Sequence, residues 1–165
     1  SMKREKALEI MKDSRIGSFG TLSLIIALGG KISLLTLLGQ QDIILACLAL
    51  FGAHISSRFT PLFLIRFQSH VGDAAGSKSK PLSDAISWPT FSVGTIWWLA
   101  SLILLHFLYP DVPWWGAVVG TTITLIWMFR LLARRLEGFT GDGLGATQQI
   151  CEIGFYLGLL LVMQT

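Results

Sequence analysis

The chain has 165 residues, room for one domain, and is 52% hydrophobic with only 14% charged residues, where a soluble domain carries about a quarter. Its mean hydropathy is +0.63, and a formal net charge of +3 is too small to point to nucleic acid as a partner. These figures exclude an ordinary soluble domain and describe a bilayer protein, with six Trp and ten Phe suited to aromatic belts.

Residues 3–14 read as an amphipathic helix, within a cytoplasmic amphipathic segment 1–15. Ala7, Leu8, Ile10 and Met11 supply its apolar positions, and Glu9 and Asp13, four apart, share a face. Two carboxylates so placed can hold Mg²⁺, which takes a few carboxylates together with phosphate oxygens. Arg15 can grip a phosphate bidentately. The same pattern also suits a solvated interfacial helix. No apolar core follows until Ile16, so no cleavable signal peptide is expected.

Five apolar stretches follow, roughly 16–38, 43–65, 88–109, 114–132 and 147–163. Each is about the 20 residues a membrane helix needs. The expected fold is all-α, a polytopic helical bundle forming a single membrane domain over 1–165. Lys3, Arg4, Lys6, Lys12 and Arg15 precede the first span. Arg66, Lys78 and Lys80 lie in the 66–87 loop, and Arg130, Arg134 and Arg135 end the fourth span and open the 133–146 loop. The opposite turns, near Gln40–Asp42 and Pro110–Pro113, carry no Lys or Arg. The positive-inside rule therefore expects both basic loops and the N-terminus in the cytoplasm, and the C-terminus outside.

Within the spans, Lys31, His54, Arg58 and Glu152 stand out among the polar residues. An intramembrane charge is a functional candidate by default. Glu152 reads either as a site residue or as a pair with Lys31 or Arg58 that holds the bundle together. His54 and Arg58 are four apart and share a face, and Arg58 calls for an anionic partner. Lys78 and Lys80 suit a phosphate or an anionic lipid surface. Cys47 and Cys151 sit in apolar runs without metal spacing.

The stretch Gly138-Phe139-Thr140-Gly141-Asp142-Gly143-Leu144-Gly145-Ala146 lies between the last two spans. Its glycines allow close backbone approach to a phosphate, and successive N–H groups can form an anion nest. Asp142 can bind metal or orient a hydroxyl. A helix beginning near Ala146 would add a favourable N-terminus. The bland alternative is a flexible connecting loop. No P-loop lysine follows, which argues against an ordinary nucleotide triphosphatase.

Two motifs together resemble the cobalamin synthases, or adenosylcobinamide-GDP ribazoletransferases. They are Leu8-Glu9-Ile10-Met11-Lys12-Asp13-Ser14-Arg15-Ile16-Gly17, with Gly20, and Thr140-Gly141-Asp142-Gly143-Leu144-Gly145-Ala146, with Glu152. Weaker similarity covers Ser57-Arg58 and Ser77-Lys78-Ser79-Lys80-Pro81. Two positions depart from the family pattern. Glu137 precedes Gly138 where a glycine pair is common, and Gly143 stands where threonine or another small residue is usual. The family also carries an aspartate-rich segment, Asp-Gly-Leu-Ala-Asp-x-x-Asp-Gly, before the Glu-Ile-Met region. The chain is therefore expected to be the C-terminal part of a longer enzyme.

The resemblance implies a transferase of the cytoplasmic (inner) membrane that joins adenosylcobinamide-GDP to α-ribazole or its phosphate and releases GMP, with Mg²⁺ as cofactor. It also implies other corrin-pathway enzymes as partners beside the lipid bilayer. On it, Glu9, Asp13 and Asp142 are metal ligands, and Asp13, Arg15 and Asp142 act in catalysis. Gly138, Thr140, Gly141, Gly145, Arg58, Lys78 and Lys80 hold phosphate or substrate. Two rivals stand beside it. One is a CDP-alcohol phosphatidyltransferase-like enzyme, whose Asp-Gly-x-x-Ala-Arg signature is missing here. The other is a small transporter or scaffold using Lys31, Arg58 and Glu152.

Overall fold

The computed structural model describes residues 4–12, 16–71 and 86–164, without the side chains of residues 4, 5, 9 and 12. A short helix, α1 (Arg4–Lys12), precedes five long ones: α2 (Ser18–Gln41), α3 (Ile43–Phe67), α4 (Trp88–Leu108), α5 (Trp114–Leu136) and α6 (Gly141–Met163). All five are long and apolar enough to cross a bilayer. The fold is the all-α membrane bundle expected. One boundary differs substantially. α6 begins at Gly141, ahead of the expected 147, so residues 133–146 are mostly helix around a short turn. The reason is local: Thr140 is extended (φ −122°) and its hydroxyl accepts from the Gly143 N–H at 3.1 Å, capping the helix there.

α6 is the central helix, packed against α5, α3 and α2, while α4 leans on α3 and α5. Its closest partner is α5, and the reason is a seam of small residues. A Cβ on Gly120 would meet the Gly154 carbonyl oxygen at 2.1 Å, and one on Gly158 would meet that of Gly116 at 2.2 Å. Both helices thus carry glycines four apart, and their backbones touch where side chains would otherwise intervene.

Two hydrophobic clusters lie at opposite ends. The far one, where the α2–α3 and α4–α5 turns meet, gathers Leu38, Leu45, Leu105, Trp114, Phe155 and Leu159. There Asp42 caps α3 by accepting from the Ile44 N–H at 2.8 Å, and it also accepts from the Tyr109 hydroxyl at 2.6 Å. The Trp114 indole N–H donates to the Tyr109 carbonyl at 3.1 Å. The two outer turns are therefore latched together. The near cluster joins Leu64, Met128, Leu132, Leu136 and Phe139, with Ala7, Leu8 and Met11 of α1 and Leu144 of α6 packed onto it.

Pro61 lies inside α3. It removes the N–H that would serve the Ser57 carbonyl. The Thr60 hydroxyl donates to that carbonyl at 2.8 Å instead, which matters where no water can replace the lost bond.

Candidate functional site

The near end of the bundle brings the two motifs together although some 130 residues separate them in sequence. Leu8 and Met11 of α1 pack on the cluster that contains Leu136, Phe139 and Leu144. The turn between α5 and α6 is rigidly placed. Glu137 closes α5 in the left-handed region (φ 59°, ψ 28°). Phe139 then pairs with the segment leaving α3: its N–H donates to the Ser69 carbonyl at 3.0 Å, and the Val71 N–H donates to its carbonyl at 2.9 Å. The His70 ring meets the Phe139 ring edge-on at 5.4 Å. A side chain on Gly138 would meet the Ser69 carbonyl oxygen at 2.2 Å. That glycine is thus required by the approach of the protein's own chain.

The start of α6 divides into a packed and an open half. Thr140 is buried and its oxygen holds the Gly143 N–H. A Cβ on Gly143 would sit 3.2 Å from both Leu132 and the Thr140 hydroxyl, which leaves little space for a larger residue. Gly141 and Gly145 have nothing within 4 Å of an added Cβ, and Asp142 is exposed between them. The first N–H groups of a helix lack intrahelical acceptors, and its dipole is positive there. Asp142, two bare glycines and that helix end therefore face open space together.

A second polar group lies midway along the spans. The Lys31 ammonium reaches the Glu152 carboxylate at 2.7 Å and the Gln149 side-chain carbonyl at 2.5 Å. The Tyr156 hydroxyl donates to the other Glu152 oxygen at 3.1 Å, and His54 Nδ1 lies 4.0 Å from it. Glu152 is almost wholly buried. Of the two partners weighed for it, the structure selects Lys31. Arg58 is exposed one turn from His54, and no carboxylate among the described residues pairs with it.

At the far end, the Tyr109 hydroxyl and the Ile44 N–H hold the Asp42 carboxyl below its ordinary range. The same bond raises the Tyr109 phenol. The sequence marks these turns only by their lack of Lys and Arg, and this pair was missed.

Of the remaining candidates, Asp13, Arg15, Lys78, Lys80 and the Glu9 side chain lie outside the described residues. Among the described residues, no group of three or more His, Cys, Asp or Glu is placed to hold a metal. Asp142 is thus the one predicted metal ligand whose surroundings are defined. An open single carboxylate fits Mg²⁺ of the kind completed by further carboxylates and substrate phosphates.

Comparison with known proteins gives a consistent result. The family model for cobalamin-5-phosphate synthase matches residues 1–160. A protein named adenosylcobinamide-GDP ribazoletransferase from Albidiferax ferrireducens is 47% identical over 96% of this chain and 62% of its own length. Proteins of the same name from a Polaromonas species and from Vibrio cholerae are 47% and 42% identical, over 96% and 99% of this chain and 61% and 60% of their lengths. The chain spans about three fifths of these relatives. No solved structure gives a significant match.

Proposed function

The chain belongs to the cobalamin-5-phosphate synthase family, and from that premise we propose that it takes part in the last step of adenosylcobalamin nucleotide-loop assembly. In that step the adenosylcobinamide phosphate group of adenosylcobinamide-GDP passes to a hydroxyl of α-ribazole or its phosphate. A P–O bond to the acceptor forms, the bond to GMP breaks, and the hydroxyl proton is released. The observation that carries this reading is the seating of α1 against the Phe139 turn, which gathers both family motifs at one end of a membrane bundle.

The roles follow from what each residue can do there. Open space at Gly141 and Gly145 admits a diphosphate to the start of α6, whose free N–H groups and dipole favour it. Asp142 orients the attacking hydroxyl or shares a metal. Glu9 and Asp13 supply the further carboxylates that Mg²⁺ requires, and Arg15, Lys78 and Lys80 steady phosphate oxygens. Mg²⁺, when bound, neutralises the charge of the diphosphate. Positioning and electrostatics supply most of the acceleration in such transfers. Thr140 and Gly138 contribute through the cap and the close approach that shape the turn. Arg58 is kept as an anion-binding residue, since it stands exposed without a carboxylate. Lys31 and Glu152 hold α2 to α6.

The basic residues at the near end support a cytoplasmic face there, with the N-terminus on the same side, and the family resemblance supports the cytoplasmic (inner) membrane. Other corrin-pathway enzymes are natural partners on that side.

The test is GMP release by the protein in proteoliposomes supplied with adenosylcobinamide-GDP and Mg²⁺. Release that depends on α-ribazole or its phosphate is expected. Release that follows a lipid alcohol instead would favour a phosphatidyltransferase-like activity, and solute flux without release would favour a transporter.

A further inference from the structure

Away from the Lys31–Glu152 pair that joins α2 to α6, α3, α4 and α5 line a half-open cavity of about 430 Å³. Its walls are apolar, with Phe59, Phe63, Phe67, Trp98 and Phe129 prominent. The hydroxyls that line it are engaged with the protein's own groups. The Thr60 hydroxyl donates to the Ser57 carbonyl at 2.8 Å, that of Thr121 to Ala117 at 2.9 Å and that of Thr122 to Val118 at 2.7 Å. The Ser56 oxygen accepts from the Trp98 indole N–H at 3.1 Å. With these three threonine donors engaged, the lining offers little to a nucleotide or a sugar.

The shape is that of a slot. From Phe67 at its rim to Ser56 at its floor, α3 rises about 16 Å, close to one leaflet of a hydrocarbon core about 30 Å thick. The rim is cationic. Arg130 lines the slot and also a second cavity, of about 380 Å³, on the outer face of α5 with Trp127, Leu131, Arg134 and Arg135. All three arginines are exposed, and no carboxylate among the described residues pairs with them.

We propose that this slot is a binding site for an anionic phospholipid, one acyl chain between α3, α4 and α5 and the phosphate on Arg130 and Arg134. The slot's length and dryness select an acyl chain. Arg130 at its mouth, with Arg134 one turn further along α5 in the adjoining cavity, selects a headgroup with net negative charge. Arginine forks match phosphate oxygens bidentately, and such rim charges discriminate anionic from zwitterionic headgroups by about tenfold. The inference does not depend on the transfer reaction proposed above.

The experiment is native mass spectrometry of the protein released from nanodiscs of equal phosphatidylcholine and phosphatidylglycerol. One retained phosphatidylglycerol, favoured about tenfold, is expected, with the preference falling to near one in the Arg130→Gln/Arg134→Gln variant. A second measurement needs no variant. Phosphatidylglycerol brominated on its acyl chains should quench tryptophan fluorescence more deeply than brominated phosphatidylcholine does, because Trp98 lines the slot. Equal retention of the two lipids, equal quenching, or a preference unchanged by the double substitution would overturn the proposal. So would a lipid-free dimer, which would mean that a second copy of the chain fills the slot.

Discussion

At the far end of the bundle, α5 and α6 touch backbone to backbone through Gly116, Gly120, Gly154 and Gly158, and Asp42 ties the two outer turns together. At the near end the same helices meet through side chains, Leu132 against Gly143 and Phe139 within its cluster. At the far end Asp42 and Tyr109 are spent on each other. The near end leaves Asp142 and a row of arginines without ion-pair partners among the described residues. The contrast separates two uses of the same residue types. Gly116, Gly120, Gly154 and Gly158 close a seam while Gly141 and Gly145 clear space, and Asp42 latches turns while Asp142 faces solvent.

The largest effect should come from breaking the seam. Gly120→Leu places a side chain against the Gly154 carbonyl, and overpacking of this kind costs on the order of 3 kcal/mol or more. Reversible unfolding in mixed micelles should show little folded protein. Gly29→Leu, where nothing lies within 4 Å of an added Cβ, should unfold like the parent chain.

Next is the pair that joins α2 to α6. Lys31→Met leaves the Glu152 carboxylate buried with only Tyr156 and a distant His54. Removing one partner of a buried pair costs on the order of 3 kcal/mol. The double variant Lys31→Met/Glu152→Gln should recover most of that loss in the same assay, because no buried charge is left alone.

The latch gives a smaller effect that depends on pH. Asp42 is held below its ordinary range by Tyr109 and Ile44, so the folded state binds its proton less readily than the unfolded state. Its contribution is present above the ordinary carboxylate range and is lost as pH falls through the lowered value. Tyr109→Phe should therefore lower the melting temperature at pH 7, and the gap from the parent should narrow as pH drops below about 4. The raised Tyr109 phenol has the opposite sense. Its contribution holds below the ordinary phenol value and disappears as pH rises through the raised one.

The smallest effect is at the near turn. Glu137 occupies the left-handed region, which disfavours a residue with a Cβ by roughly 1 kcal/mol. Glu137→Gly should be more stable than Glu137→Ala by about that amount in thermal melts, since both lose the side chain and only glycine relieves the backbone.

The spans were legible because hydropathy runs of the right length have few other readings. Their pairing was not. The glycines four apart in α5 and in α6 are visible in the sequence, but spacing alone does not say which helix faces which. The start of α6 was misplaced because a glycine-rich run reads as loop. Thr140, three residues before the N–H that it caps, was the signal that should have moved the boundary. Lys31 as partner of Glu152 was legible only as one of two choices, since depth in a bilayer does not fix rotation about a helix axis. The Asp42–Tyr109 latch spans 67 residues and left no local trace. At the candidate site, Asp142 was legible from its motif. The duty of Gly138 toward Ser69 was not, because close approach to a phosphate and close approach to a backbone carbonyl ask for the same residue.

The most direct measurement sets one aspartate from each end against the other in identical proteoliposomes. Asp142→Asn should lower GMP release by about a hundredfold or more and leave the melting temperature unchanged. Asp42→Asn should lower the melting temperature and leave turnover per folded molecule near that of the parent. Near-normal turnover in Asp142→Asn, or an equal loss of turnover in both, would contradict the assignment of chemistry to the near end and cohesion to the far one.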